Sequence, residues 1–134
     1  SQRLVRSLCH ACRQPLEESE LNEDERLFAE IWSRPAWKSI GCDACHSTGF
    51  SGRLPVLEVV VIDGELRKAL RDGRQDIDQL ELLAAETGTR FLAEGFAKRI
   101  EDGETTIGEA LRVYGRSLFG RLRKFKNLRQ AIRS

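Results

Sequence analysis

Methionine is absent from the sequence, and no apolar run approaches the roughly 20 residues that a helix needs to cross a bilayer. The opening residues Ser1, Gln2, Arg3, Leu4, Val5 and Arg6 are mixed and polar, unlike the apolar stretch of a secretory signal. No G-x-x-x-x-G-K-[ST] phosphate loop occurs, and no free nucleophile stands beside a histidine, because His10 and His46 both lie next to cysteines read below as metal ligands. Acid pairs such as Asp76/Asp78 and Glu101/Asp102 read as helix-end and surface charges, not as a general acid/base couple. The chain alone is therefore expected to be noncatalytic. Its lack of a starting Met, with Leu4 and Val5 already reading like the end of an element, points to an excised piece of a longer protein.

What is present suits a soluble globular fold: 40% of residues are hydrophobic and 32% charged. The net charge of +1 hides an asymmetry. Residues 116–134 hold seven basic side chains (Arg116, Arg121, Arg123, Lys124, Lys126, Arg129, Arg133) and no acid, and removing those seven from 22 leaves 15 basic against 21 acidic elsewhere. This basic tail is expected to behave as an electrostatically separate segment.

Four cysteines stand as Cys9-x2-Cys12, then 29 residues, then Cys42-x2-Cys45. Two residues between cysteines let one tight turn aim both sulfurs at a single ion, and two such turns complete a tetrahedral zinc shell. Full thiolate coordination leaves no open position for a catalytic water, so the site is expected to be structural. Disulfides are the rival, but nothing here indicates secretion, and a bridge within a C-x-x-C pair is strained. With four cysteines available, His10 and His46 are read as exposed or supporting groups.

Between the cysteine pairs, Leu27, Phe28, Ile31 and Trp32 share a helical face, Asn22 and Glu25 suit its N-terminus, and Pro35 ends it. Trp32 and Trp37 are expected to pack a small core of the metal module. Residues 54–62 read as a strand, with Pro55 placing its start at a sheet edge. Its partner is expected in short β-ribbons of the zinc module or outside this chain. Four helical stripes follow: Leu66, Ala69 and Leu70; Ile77, Leu80, Leu83 and Ala84; Leu92, Phe96 and Ile100; and Ile107, Ala110, Leu111 and Tyr114, opened by a Thr106/Glu109 capping box. Glycines just past each stripe are C-terminal stops. The expected fold is mainly α: a small tetracysteine zinc module with short β elements, then a compact helical bundle. Leu118, Leu122, Phe125, Leu128 and Ile132 form a last stripe. It suits a helix docked on an acidic partner, one lying on an anionic membrane, or a solvated final helix.

The run from Gln2 to Cys12 (QRLVRSLCHAC) is similar to the "QRLVRxLCxxC" stretch of type II secretion and type IV pilus assembly ATPases. Residues 41–53 (GCDACHSTGFSGR) resemble that family's "GCxxCxxTGYxGR", and residues 106–113 (TIGEALRV) its terminal "TxxEVLRV". Pro55 to Val59 and Asp63 to Arg67 take the place of its "GIYELL…DxELR". Three features depart from the pattern: His10 for a usual proline, Pro55-Val56 for glycine-isoleucine, and the basic extension after Gly115.

The resemblance implies a cytoplasmic hexameric ATPase parent, docked on an inner-membrane platform protein that builds pili or pseudopili. ATP and Mg would bind only in a motor core outside this chain. It divides the chain into residues 1–8, ending that core; the zinc module 9–53; a strand plus helical C-terminal domain 54–115; and the basic tail 116–134. The module is then a noncatalytic coupling element that contacts the platform or neighbouring subunits. The alternative is a stand-alone zinc-ribbon module binding nucleic acid or protein. Nucleic acid is disfavoured, because residues 17–30 hold seven acids against Arg26. A chaperone-type cysteine-rich module would need further C-x-x-C repeats, which are missing.

Overall fold

A computed structural model describes residues 1–73 and 76–133, so Ser134 of the expected tail lies outside the described residues. In chain order the first elements are β1 (Gln2–Leu8), β2 (Gln14–Pro15), α1 (Glu23–Ile31), β3 (Trp37–Lys38) and β4 (Phe50–Leu57). Helices α2 (Gly64–Arg71), α3 (Ile77–Glu86), α4 (Leu92–Glu101), α5 (Ile107–Tyr114) and α6 (Leu118–Arg133) follow. The architecture is mainly α with short β elements, as the sequence predicts.

Local chemistry sets most boundaries. Asn22 and Glu25 make a complete capping box on α1, each side chain accepting from the other's backbone N–H at 2.8 and 2.9 Å. Asp63 caps α2 by accepting from the Leu66 N–H at 2.9 Å, and Asp76 opens α3 through the N–H of Asp78. At α5 only half of the expected box forms. Thr106 accepts from the Glu109 N–H at 3.1 Å, whereas the Glu109 carboxylate turns to Arg6 and Arg112.

The strand expected over residues 54–62 runs instead over Phe50–Leu57, and its partner lies within this chain. β1 and β4 pair antiparallel from Gln2↔Leu57 to Leu8↔Phe50, with an irregularity between Arg6 and Leu8. The outermost bonds join Ser1 and Glu58. Beyond them residues 59–62 have no described strand opposite, and a strand without a partner leaves its backbone unpaired. Val59, Val60, Val61 and Ile62 are accordingly coil with exposed side chains.

One buried cluster spans the expected divisions at residues 53 and 115. It joins Val5 of β1, Phe28 and Ile31 of α1, Val56 of β4, Phe96 and Ile100 of α4, Ala110 of α5, and Leu118, Leu122 and Phe125 of α6. The Phe91 and Phe125 rings stack with centroids 4.1 Å apart. Trp32 packs on this cluster, while Trp37 stays half-buried outside it. The separate tryptophan core expected for the metal module is thus replaced, on the α1 side, by the main core. Leu70 and Ile77 also leave the predicted stripes for solvent.

The basic tail is not electrostatically separate. Arg116 pairs with Asp24 at 2.9 Å, Arg121 with Glu81 at 3.1 Å, Lys124 with Asp78 and Glu81 at 2.7 and 2.8 Å, and Arg129 with Glu94 at 2.8 Å. The acidic surface that α6 meets belongs to this same chain. Among the described residues, no helix is long and apolar enough to cross a membrane.

Candidate metal centre

The end of β1 and the turns that precede β4 bring the two C-x-x-C pairs together. Cys9 directly follows β1, and its N–H donates to the Gly49 carbonyl at 2.9 Å, which fastens one pair to the other. Residues 43–45 form a single 3-10 turn, so Cys42 and Cys45 point their sulfurs into one spot. After it, His46 and Ser47 adopt left-handed backbone with φ of 54° and 63°, and the Ser47 N–H returns to the Cys42 carbonyl at 2.8 Å. Gly49 then passes against Ser39 with φ of 82°. A Cβ there would lie 2.7 Å from the Ser39 Cβ, so both conformation and space require glycine.

All four sulfurs lie within 4.8 Å of one another. Cys9 and Cys42 are 3.8 Å apart, Cys12 and Cys45 3.9 Å, and Cys42 and Cys45 3.8 Å. These separations are far longer than a disulfide bond of about 2 Å. They match the edge of a tetrahedron with Zn–S bonds of about 2.3 Å, which is about 3.8 Å. None of the four cysteines is in a disulfide. The donor set thus fits a metal ion held by four sulfurs. Cys9 and Cys45 are buried, Cys12 and Cys42 half-buried, and His10 and His46 exposed.

Backbone amides aim at the sulfurs. The Gly41 N–H donates to Cys12 Sγ at 3.3 Å, and the N–H groups of Cys42 and Gly49 both donate to Cys45 Sγ at 3.2 Å. Burial pushes the Cys45 thiol up, but those two N–H bonds together with hydrogen bonds from the Cys42 and Cys12 side chains bring the group down to about 6. At Cys12 the Gly41 N–H favours the thiolate, yet desolvation and the three neighbouring sulfurs push the group up to about 11. Four thiols this close cannot all ionise unaided, because each negative sulfur opposes the next. A divalent cation at the centre removes that opposition.

Two contributors give no signal in the cysteine spacing. The Thr48 hydroxyl donates to the Cys45 carbonyl at 2.7 Å and accepts from the Phe50 N–H at 3.1 Å, joining the knuckle to β4. Arg13, just after Cys12, donates to the Gly103 carbonyl at 2.8 Å and lies 4.2 Å over the Trp37 ring. The Leu8 N–H likewise reaches the Glu104 carbonyl at 2.8 Å. The metal lobe is therefore tied to the turn between α4 and α5.

Residues 1–112 match the family model described as "Type II/IV secretion system protein". The chain belongs to the type II/IV secretion system protein family. It is 38% identical over 113 residues to type II secretion system protein HxcR of Pseudomonas aeruginosa, covering 84% of this chain and 20% of that protein. It is 34% identical over 116 residues to type II secretion system protein E of Aeromonas hydrophila, covering 84% and 22%. Over 118 residues it is 32% identical to the type IV pilus assembly ATPase PilB of Thermus thermophilus, covering 83% and 13%. The chain thus spans about a fifth or less of these relatives' length. The type II/IV resemblance carried by Gln2 to Cys12 and residues 41–53 is borne out.

Proposed function

We propose that this chain is the noncatalytic C-terminal region of a secretion or pilus-assembly ATPase, in which Cys9, Cys12, Cys42 and Cys45 hold a structural zinc ion. The observation that carries the proposal is the cluster of four sulfurs within 4.8 Å of one another, three of their separations at the tetrahedral value, in a chain of the type II/IV secretion family. Zinc in such a site supplies four Zn–S bonds and no catalytic chemistry, because no coordination position is left for water. The protein does the rest: the amides of Gly41, Cys42 and Gly49 orient the sulfurs, and Thr48 and Arg13 fix the lobe to the core.

A lobe braced in this way moves with its core as one body, which suits transmission of motion from a nucleotide-driven motor. ATP and Mg belong to that motor, outside this chain. The partners are an inner-membrane platform protein and neighbouring subunits of a homohexamer, and the setting is cytoplasmic, at the membrane only through those partners.

The test is elemental analysis of the chain purified without added metal, alongside Cys9→Ser and Cys45→Ser. One zinc per chain is expected, lost in both variants together with a fall in the melting temperature. Stoichiometric iron, or variants that lose the metal yet melt like the parent, would sink the structural-zinc reading.

A further inference from the structure

The outer face of the β1–β4 ladder gathers more positive charge than the fold neutralises. Arg6 of β1 and Arg53 of β4 stand directly opposite each other in the register. Like charges at directly opposed positions weaken a ladder. Arg112 of α5 joins them, and with Leu4 the three arginines line a cavity of about 450 Å³.

A single carboxylate answers these three cations. Glu109 has a fully buried side chain and accepts from Nε and Nη2 of Arg6 at 3.1 and 2.9 Å, and from Nε and Nη2 of Arg112 at 2.8 and 2.8 Å. The Phe50 ring supports the Arg6 guanidinium from 4.3 Å. Two of the arginines are therefore held in place, while their Nη1 groups make no hydrogen bond among the described residues. The Arg53 guanidinium has no hydrogen bond or ion pair there at all.

The larger cavity, about 630 Å³ between α4 and α6, is different. Its Arg129 is spent on Glu94 and on the carbonyls of Ala85 and Thr89, and its Lys126 on the Ile31 carbonyl. On the ladder face, by contrast, two guanidinium groups positioned by Glu109 stand beside a third, Arg53, that has no partner among the described residues. Planar N–H forks match phosphate oxygens, and side chains already held by Glu109 lose little freedom on binding. One carboxylate against three cations leaves two charges open, which suits a dianion better than a second carboxylate. No aromatic ring lines the cavity to stack a base, so the group recognised is the phosphate itself.

We propose that Arg6, Arg53 and Arg112 form a binding site for a phosphate dianion, supplied as free pyrophosphate or phosphate or as the diphosphate of a nucleotide. The test is calorimetric titration of the chain with inorganic pyrophosphate and, separately, with ADP at low ionic strength. Saturable binding is expected, weakened at least roughly tenfold by Arg53→Gln. Because Arg53 has no partner in the fold and faces Arg6, the same variant should keep or raise the urea midpoint, which separates lost binding from lost folding. Arg133→Gln, at the other cavity, should leave binding unchanged. Equal affinities for the two probes assign the site to the free anion, and ADP binding roughly tenfold tighter assigns it to a nucleotide; either supports the proposal. Absence of saturable binding at millimolar concentration, an affinity unaltered by Arg53→Gln, or an equal loss with Arg133→Gln would overturn it.

Discussion

Glu109 shows how one side chain can join two remote parts of a chain. It lies on α5, accepts from the Arg6 backbone N–H of β1 at 2.8 Å, and holds two guanidinium groups. Burial alone pushes its carboxyl up, but the bonds from Arg112 and Arg6 prevail and bring it from the ordinary 4.5 to about 2. Ionised Glu109 therefore contributes stability that is fully present above pH 4.5 and is lost as the pH falls through the folded value near 2. Glu109→Gln keeps the shape and removes the charge. It should cost roughly 2 kcal/mol at neutral pH, the scale of a charged hydrogen-bond set with partly exposed partners. Urea unfolding of both proteins should show that gap shrinking as the pH drops from 4.5 toward 2. A gap that stays constant with pH would mean that the loss comes from packing and not from the charge.

At the scale of elements, α6 is a core helix wrapped in cations. Leu118, Leu122 and Phe125 are essentially inaccessible, whereas Ile132, on the same predicted stripe, is 37% exposed. Phe125→Ala removes the ring stacked on Phe91 and should cost about 3–5 kcal/mol, while Ile132→Ala should stay within about 0.5 kcal/mol. Chemical denaturation checks both, and similar small losses would mean that α6 does not seal the core. The stripe itself was legible, since a period of 3.6 residues is local information. Its docking was not, because Asp24, Glu81 and Glu94 lie far from their basic partners in sequence and no spacing rule links them. The same limit explains the strand: β-branched residues announced extended backbone near residue 56, but the choice of β1 as partner set where it starts and stops. The cysteines were legible for the opposite reason, each C-x-x-C being a local turn. Thr48, Arg13 and the arginines facing the ladder acquire their roles only when the fold closes.

Across the whole molecule, the question is how far loss of the proposed zinc would spread. Structural zinc sites contribute about 10 kcal/mol or more of apparent binding free energy, and without the ion four sulfurs within 4.8 Å lose their common partner. If the metal lobe had its own core, chelation would unfold everything between the two cysteine pairs. Leu8, Leu16 and Leu21 are indeed buried apart from the main cluster, but α1 is not part of that set, because its Phe28 and Ile31 are buried with α4, α5 and α6. Chelation should therefore open the knuckles and the β2–β3 pair while leaving α1 and the helices folded. In hydrogen exchange, the amides of Cys9, Gly41, Cys42 and Gly49, which bond to a sulfur or across the knuckles, should lose protection on chelation. Those of α4 and α6 should change less than about tenfold, since local opening need not involve the global core. The turn at Gly103 and Glu104 is the one place where the change should reach the helices. There Arg13 and Leu8 hold the lobe to the carbonyls, and a Cβ on Gly103 would strike Trp37. Equal protection of the knuckle amides with and without metal would defeat this account, and uniform loss across α1, α4 and α6 would show that the lobe and the bundle unfold as one unit.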